Sequence, residues 1–255
     1  MAKAFFYVLG SDGNTSSGRI TGVPAECGGT VCMGFCKPAI RSAARRGDWI
    51  IAICNSKIKP RWILSMIQVR SRPKLYKARK DFPEAIWSPW NPTGQIWVEP
   101  IKKRDEIDYR YIPDAPHDES DKENDLKIYP DTDRLVVGTS NSVILGEHGI
   151  LVNSRILAMM RRDLRLKNVE LDPSAPFGKV LRKKKGQKEK EWFCAGRPQP
   201  AIVDLNARDI EYLKQFAKTS RGKIHKTTQP PLEEKRGCIT PCRKTSPVKL
   251  KRRTC

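Results

Sequence analysis

The amino-acid sequence predicts an α+β fold, with a small mixed or antiparallel sheet, flanking helices and a basic C-terminal tail. Three observations predict it. The stretch CKPAIRSAARRGDWIIAI (36–53) switches from helical spacing to an unbroken apolar run. Two further runs, KAFFYVLG (3–10) and WILSMIQV (62–69), are rich in aromatic and β-branched residues and read as strands. Beyond Ser220 the chain turns basic and nearly devoid of aromatic residues.

Each element has its own signal. Pro38 suits the first turn of a helix, where its missing N–H and fixed φ do no harm. Cys36, Ile40, Ala43 and Ala44 then give one apolar face, while Lys37, Arg41 and Arg45 recur every fourth residue as a basic stripe. Gly47 ends the helix, and Trp49 to Ile53 form a buried strand. Trp62 to Val69 pairs with it antiparallel across a tight connection containing Asn55. The segment 11–33 is glycine-rich and irregular, without the Gly-x-x-x-x-Gly-Lys pattern of a phosphate loop. Prolines break up 73–100, where Trp87, Trp90 and Trp97 either cap a sheet edge or offer a wall on which a base stacks.

Residues 113–133 carry eight acids against two lysines and read as a solvated insertion without chemistry. Residues 135–145 form two short strands around the polar turn 138–142. Amphipathic helices follow over 151–166 and 205–217, the second with Asp204 as N-cap. The sequence thus divides into a domain over 1–220 and a disordered basic tail over 221–255.

Charge narrows the partners. The chain has 255 residues, with 49 Lys+Arg against 28 Asp+Glu, a net charge of +21. The tail holds eleven basic residues and two Glu, or +9, which leaves +12 on the domain. Such an excess favours an anionic partner, nucleic acid before lipid. No apolar run approaches the roughly 20 residues that span a bilayer, and no signal peptide is recognised at the N-terminus, so a cytoplasmic location is expected. Of eight cysteines, Cys27, Cys32, Cys36 and Cys54 are the only metal candidates. Their spacing lacks the paired ligands of a zinc site, and small buried thiols are the better reading. No metal and no cofactor is assigned.

The order strand, loop, basic helix, Gly-Asp, apolar strand and long strand resembles the β-barrel modules of the PUA, ASCH and EVE superfamily, which recognise nucleobases. Tyr7, Asp12-Gly13, Cys36-Lys37-Pro38, Ile40-Arg41 and Gly47-Asp48-Trp49 more closely resemble the nucleotide modification associated domain, second type, over residues 4–54. That resemblance implies a barrel-like sheet, a bacterial or phage setting, and a role in making, recognising or handling modified DNA bases. The loop after Asp12 departs from the family pattern, because 14–26 lacks its proline- and phenylalanine-rich character.

The expected function is a module that binds DNA or a nucleotide. Lys37, Arg41 and Arg45 would hold phosphate, Asp48 a base edge and Trp49 its face, with Asp12, Asn55, Ser140 and Asn141 completing the site. Against this, Asp48 would cap its own turn and Trp49 would pack in the core. The alternative is an enzyme acting on a nucleotide or base. Cys36 would be its nucleophile, with Asp48, Asp12, Glu147 or His148 as acid or base. Protein partners and oligomeric state are not legible.

Overall fold

A computed structural model describes residues 1–9, 24–35, 37–54, 62–103, 106–145, 150–160, 162 and 201–221. Its spine is β5 (Trp62–Ser71), ten residues long and paired along both edges. One edge carries β4 (Trp49–Cys54) antiparallel, as expected from the tight connection. Beyond β4 lies β1 (Lys3–Leu9), parallel to it, and then β11 (Ala201–Asp204), antiparallel to β1. The other edge of β5 receives β8 (Val136–Gly138), β9 (Val143–Ile144) and β10 (Ile150–Leu151) in turn. β8 also pairs with β3 (Thr30–Met33), which pairs with β2 (Ala25–Cys27).

Period-two alternation sorts the side chains onto two buried faces. Phe6, Trp49, Ile51 and Ile53 pack against α3 (Ser154–Met160) and α4 (Ala207–Ser220). Phe5, Tyr7, Ile50, Ala52 and Ile67 pack on the other face with Ile40 and Ala44 from α1 (Pro38–Ala43) and its end. With both faces covered, β4 needs no polar side, which explains its unbroken apolar sequence. A third core gathers Phe35, Leu75, Trp97, Tyr109 and Tyr111 beneath α2 (Leu75–Asp81) and the hairpin β6 (Val98–Lys103)–β7 (Glu106–Tyr111).

Several expectations are corrected. The sheet is open, running from β11 to β2, and does not close into a barrel. The irregular 11–33 stretch contains the β2–β3 hairpin, whose turn residues Gly28 and Gly29 have φ of 57° and 73°, as a tight hairpin turn requires. The proline-broken region holds α2 and β6, because Pro73 and Pro83 lie outside the helix that they bracket. The last helix is capped by Asn206, which shares a reciprocal capping box with Asp209, while Asp204 pairs with Lys3 in β11. α3 begins where Asn153 Oδ1 accepts the Ile156 N–H at 3.0 Å and is described only to Met160. The tail beyond 221 lies outside the described residues.

Candidate nucleic-acid interface

The basic stripe does not form as periodicity suggests, since α1 covers only Pro38–Ala43. Lys37 precedes it with a left-handed backbone, φ 55°, and its Nζ lies 5.9 Å from the Tyr7 ring centre. Arg41 is completely buried. Its guanidinium donates to the carbonyls of Thr132 and Asp125, the latter at 2.5 Å, and lies 5.3 Å from the Phe35 ring centre. Arg45 follows the extended residue Ala44 and is exposed. The three cations therefore face different surroundings.

Asp48 shows why the helix stops where it does. Its carboxylate accepts the main-chain N–H of Arg45 at 2.7 Å and that of Lys3 at 2.8 Å. The first bond takes the amide that would continue the helix, and the second ties the turn to β1. Gly47, at φ 91°, completes the reversal and donates its N–H to Val69 O at 2.8 Å. Asp48 thus performs the turn-capping role. Trp49 is wholly buried in the α3/α4 core, on the sheet face away from α1, so it offers no stacking surface. Arg41 and Asp48, expected to serve one ligand, instead engage separate backbone segments, Arg41 the carbonyls of Asp125 and Thr132 and Asp48 the amides of Lys3 and Arg45.

At the exposed end of α1 several guanidiniums gather. Arg45 Nη1 donates to Ser42 O at 2.6 Å and Ala44 O at 3.1 Å, and Arg72 reaches the same carbonyls at 3.2 and 2.7 Å. Cations at the last carbonyls of a helix are favoured by its dipole. Arg134 joins through a bond to Arg72 O and an ion pair with Asp131 at 2.9 Å. Burial first, then the like charge of Arg45, holds the Arg72 pKa below its ordinary value.

The polar turn 138–142 hangs from the neighbouring residue of the same strand. Thr139 donates its N–H to Gln68 O at 2.7 Å, and Gln68 Oε1 accepts from Thr139 Oγ1 at 3.0 Å and Asn141 Nδ2 at 2.7 Å. Here β8 and β9 flank β5 with extra chain between them, Gly138 to Val143 opposite Val69 to Met66. The excess opens the ladder into a cavity of about 330 Å³, lined in part by Glu26, Thr30, Thr139, Ser140 and Ser142. Arg221, just past α4, closes one side and donates to the carbonyls of Ser140 and Ser142.

The family model for nucleotide modification associated domain 2 matches residues 1–203. The chain belongs to that family. No curated protein and no solved structure was found to match it. Membership associates this chain with nucleotide modification, and the match extends well beyond residues 4–54, taking in the acidic stretch, the polar turn and most of β11.

In this nucleotide modification associated domain the acidic stretch is more than a solvated insertion. It forms a 3₁₀ turn (Glu119–Asp121) and a π-helical turn (Glu123–Lys127), and Asp125, Leu126 and Thr132 are buried. Asp125 is the hub. Its Oδ2 meets His117 Nδ1 at 2.6 Å and accepts from Tyr111 Oη at 2.7 Å, while its main-chain carbonyl receives Arg41. Burial pushes the Asp125 pKa up, but the bonds from His117 and Tyr111 outweigh it and leave the group below its ordinary value. The bond to Asp125 raises the His117 pKa against an opposing effect of burial. The imidazole packs edge-on to Trp97 at 4.9 Å, and Trp97 stacks on Phe35, also at 4.9 Å. Sequence reasoning missed this cluster, because a histidine amid eight acids carries no periodicity. The available signal was the alternation of acids with Leu126, Ile128 and Tyr129.

Asp12, Cys36, Asn55, Glu147 and His148 lie outside the described residues. Cys27 and Cys32 are buried, and the described residues contain no cluster that could hold a metal ion. No helix among them is long and apolar enough to cross a membrane.

Proposed function

We propose that this chain is a module that binds the phosphates of a nucleic acid or nucleotide carrying a modified base, with Arg45, its exposed neighbour Arg46 and Arg72 as the contacts. The observation that carries the reading is the gathering of guanidiniums at the end of α1. Arg45 and Arg72 direct their hydrogen bonds to carbonyls, which orient a cation without neutralising it. The cavity at the polar turn supports the reading, since about 330 Å³ lies at the lower end of small-ligand pockets. In this reading Ser140 and Asn141 keep their expected place beside the ligand. Arg45 keeps its expected role as well, whereas Arg41, Asp48 and Trp49 serve the frame. Lys37 is peripheral. The +9 tail over 221–255 adds contacts to the phosphate backbone without selecting sequence.

The test is fluorescence anisotropy of a labelled single-stranded oligothymidylate of about 12 nucleotides, a typical single-strand site size. Arg45→Ala/Arg46→Ala should bind several-fold more weakly than the wild-type chain at equal salt. Equal affinity would remove these residues from the interface.

A second reading, an enzyme acting on a nucleotide or base, is favoured by one observation. Asp125 holds His117 through Nδ1, the pairing by which a carboxylate orients an imidazole acid or base. Turnover of a nucleotide that disappears in His117→Gln, with binding retained, would select this reading.

A further inference from the structure

Three tryptophans crowd the segment between α2 and β6, and the fold treats them differently. Trp87 and Trp97 are buried, and Trp97 Nε1 donates to Gly94 O at 2.7 Å. Trp90 is 95% exposed, on a turn that the rest of the segment holds still. Ser88 and Asn91 exchange main-chain bonds at 2.9 and 3.4 Å. Asn91 Nδ2 donates to Glu84 O and Ile86 O at 2.8 and 2.9 Å, and Asn91 O accepts Gly94 N–H at 3.0 Å. Pro89 and Pro92 fix φ on either side. None of these bonds uses the indole, so the turn does not require a tryptophan at position 90.

The surroundings favour one occupant. The other large apolar side chains exposed among the described residues are Met1, Ile107 and Ile128, all from other segments. An anchor for a protein pocket is usually ringed by cover that excludes water, whereas Trp90 is bordered by Ser88, Asn91 and Thr93. The 3₁₀ turn Pro83–Ala85 that receives Asn91 carries the exposed Glu84 and leads back into α2, where Lys77 and Lys80 are exposed together with Asp81. A flat aromatic face on a chain of net charge +21 suits an unpaired nucleotide held without regard to sequence, because every base has a π-face.

We infer that Trp90 is a stacking platform for an unpaired base of a single-stranded nucleic acid. The inference rests on the phosphate-binding reading above and adds to it a second, separate contact.

The test titrates the full-length chain with the labelled oligothymidylate, following anisotropy together with tryptophan emission. Quenching of the wild-type emission is expected. Trp90→Ala should bind about tenfold more weakly, within the range reported for loss of one base–aromatic stack, and Trp90→Phe should recover most of the affinity. Circular dichroism of each variant should be unchanged, since the indole touches little. Wild-type affinity in Trp90→Ala overturns this assignment alone and leaves the arginine contacts standing. If that affinity accompanies a lower sedimenting mass than the wild type, the indole belongs to a protein contact instead. No binding by the wild-type chain overturns both readings.

Discussion

Arg41 and Arg45 are four residues apart and have opposite fates. Arg41 is sealed beneath Phe35, and its guanidinium is bonded to carbonyls of the acidic stretch. Arg45 is exposed, and its guanidinium is bonded to the Ser42 and Ala44 carbonyls at its own helix end. Both satisfy carbonyls, but the consequences differ with burial. A buried cation with fixed partners is a strut, since removing it leaves polar groups without water or protein to bond them. An exposed cation on carbonyls keeps its field available to an anion. Residue type and spacing do not separate the two cases; the distance to solvent does.

The contrast can be broken from several sides. The largest effect should come from Arg41→Ala, which leaves the carbonyls of Asp125 and Thr132 unpaired in the interior and empties the space against Phe35. A loss of about 3 kcal/mol or more in urea unfolding is expected. Near-normal stability with impaired oligonucleotide binding would make Arg41 a ligand contact after all. Asp48→Ala should follow, at about 1–2 kcal/mol, because two amides lose their acceptor.

The His117–Asp125 pair sharpens the buried side of the comparison through pH. The folded state raises the His117 pKa above 6.5, so its stabilisation is complete below that value and fades as pH rises through the folded pKa. Asp125 is shifted down from 3.8, so its own stabilisation is present above 3.8 and fades as pH falls through its folded pKa. The urea midpoint of the wild-type chain should therefore drop between about pH 6 and about pH 9 by more than that of His117→Gln. Parallel midpoints for the two chains would show that the pair does not clasp the acidic stretch. The smallest change in stability, within about 0.5 kcal/mol, is expected for Arg45→Ala/Arg46→Ala, as for other exposed substitutions.

The legible parts of this molecule were those with a strong local signal. Apolar runs rich in aromatic and β-branched residues located β1, β4 and β5, and the antiparallel β4–β5 pair followed from a short connection. Gly47 and Asp48 announced a turn, although the carboxylate's reach to Lys3 is a tertiary contact across 45 positions. What escaped depends on distant partners. The β2–β3 hairpin is too short to show alternation, and β6 contains Pro100. The acidic stretch looked solvated because each acid was read alone, while Asp125 is buried among a histidine of the same stretch, a tyrosine of β7 and an arginine of α1. The same limit affected the candidate site. Ser140 and Asn141 lie on a built turn beside a cavity, but the sequence could not say that β5 would set this turn beside the Gly-Asp turn, at Gln68 and Val69.

The most direct measurement of the central claim is the salt dependence of oligothymidylate binding by the wild-type chain, Arg45→Ala/Arg46→Ala and a folded Arg41→Met variant. Each phosphate contact to a single strand contributes about 0.7 to the slope of log affinity against log salt, so the double variant should lose about 1.4 and Arg41→Met should match the wild type. A slope that falls in Arg41→Met and stays whole in Arg45→Ala/Arg46→Ala would contradict the account.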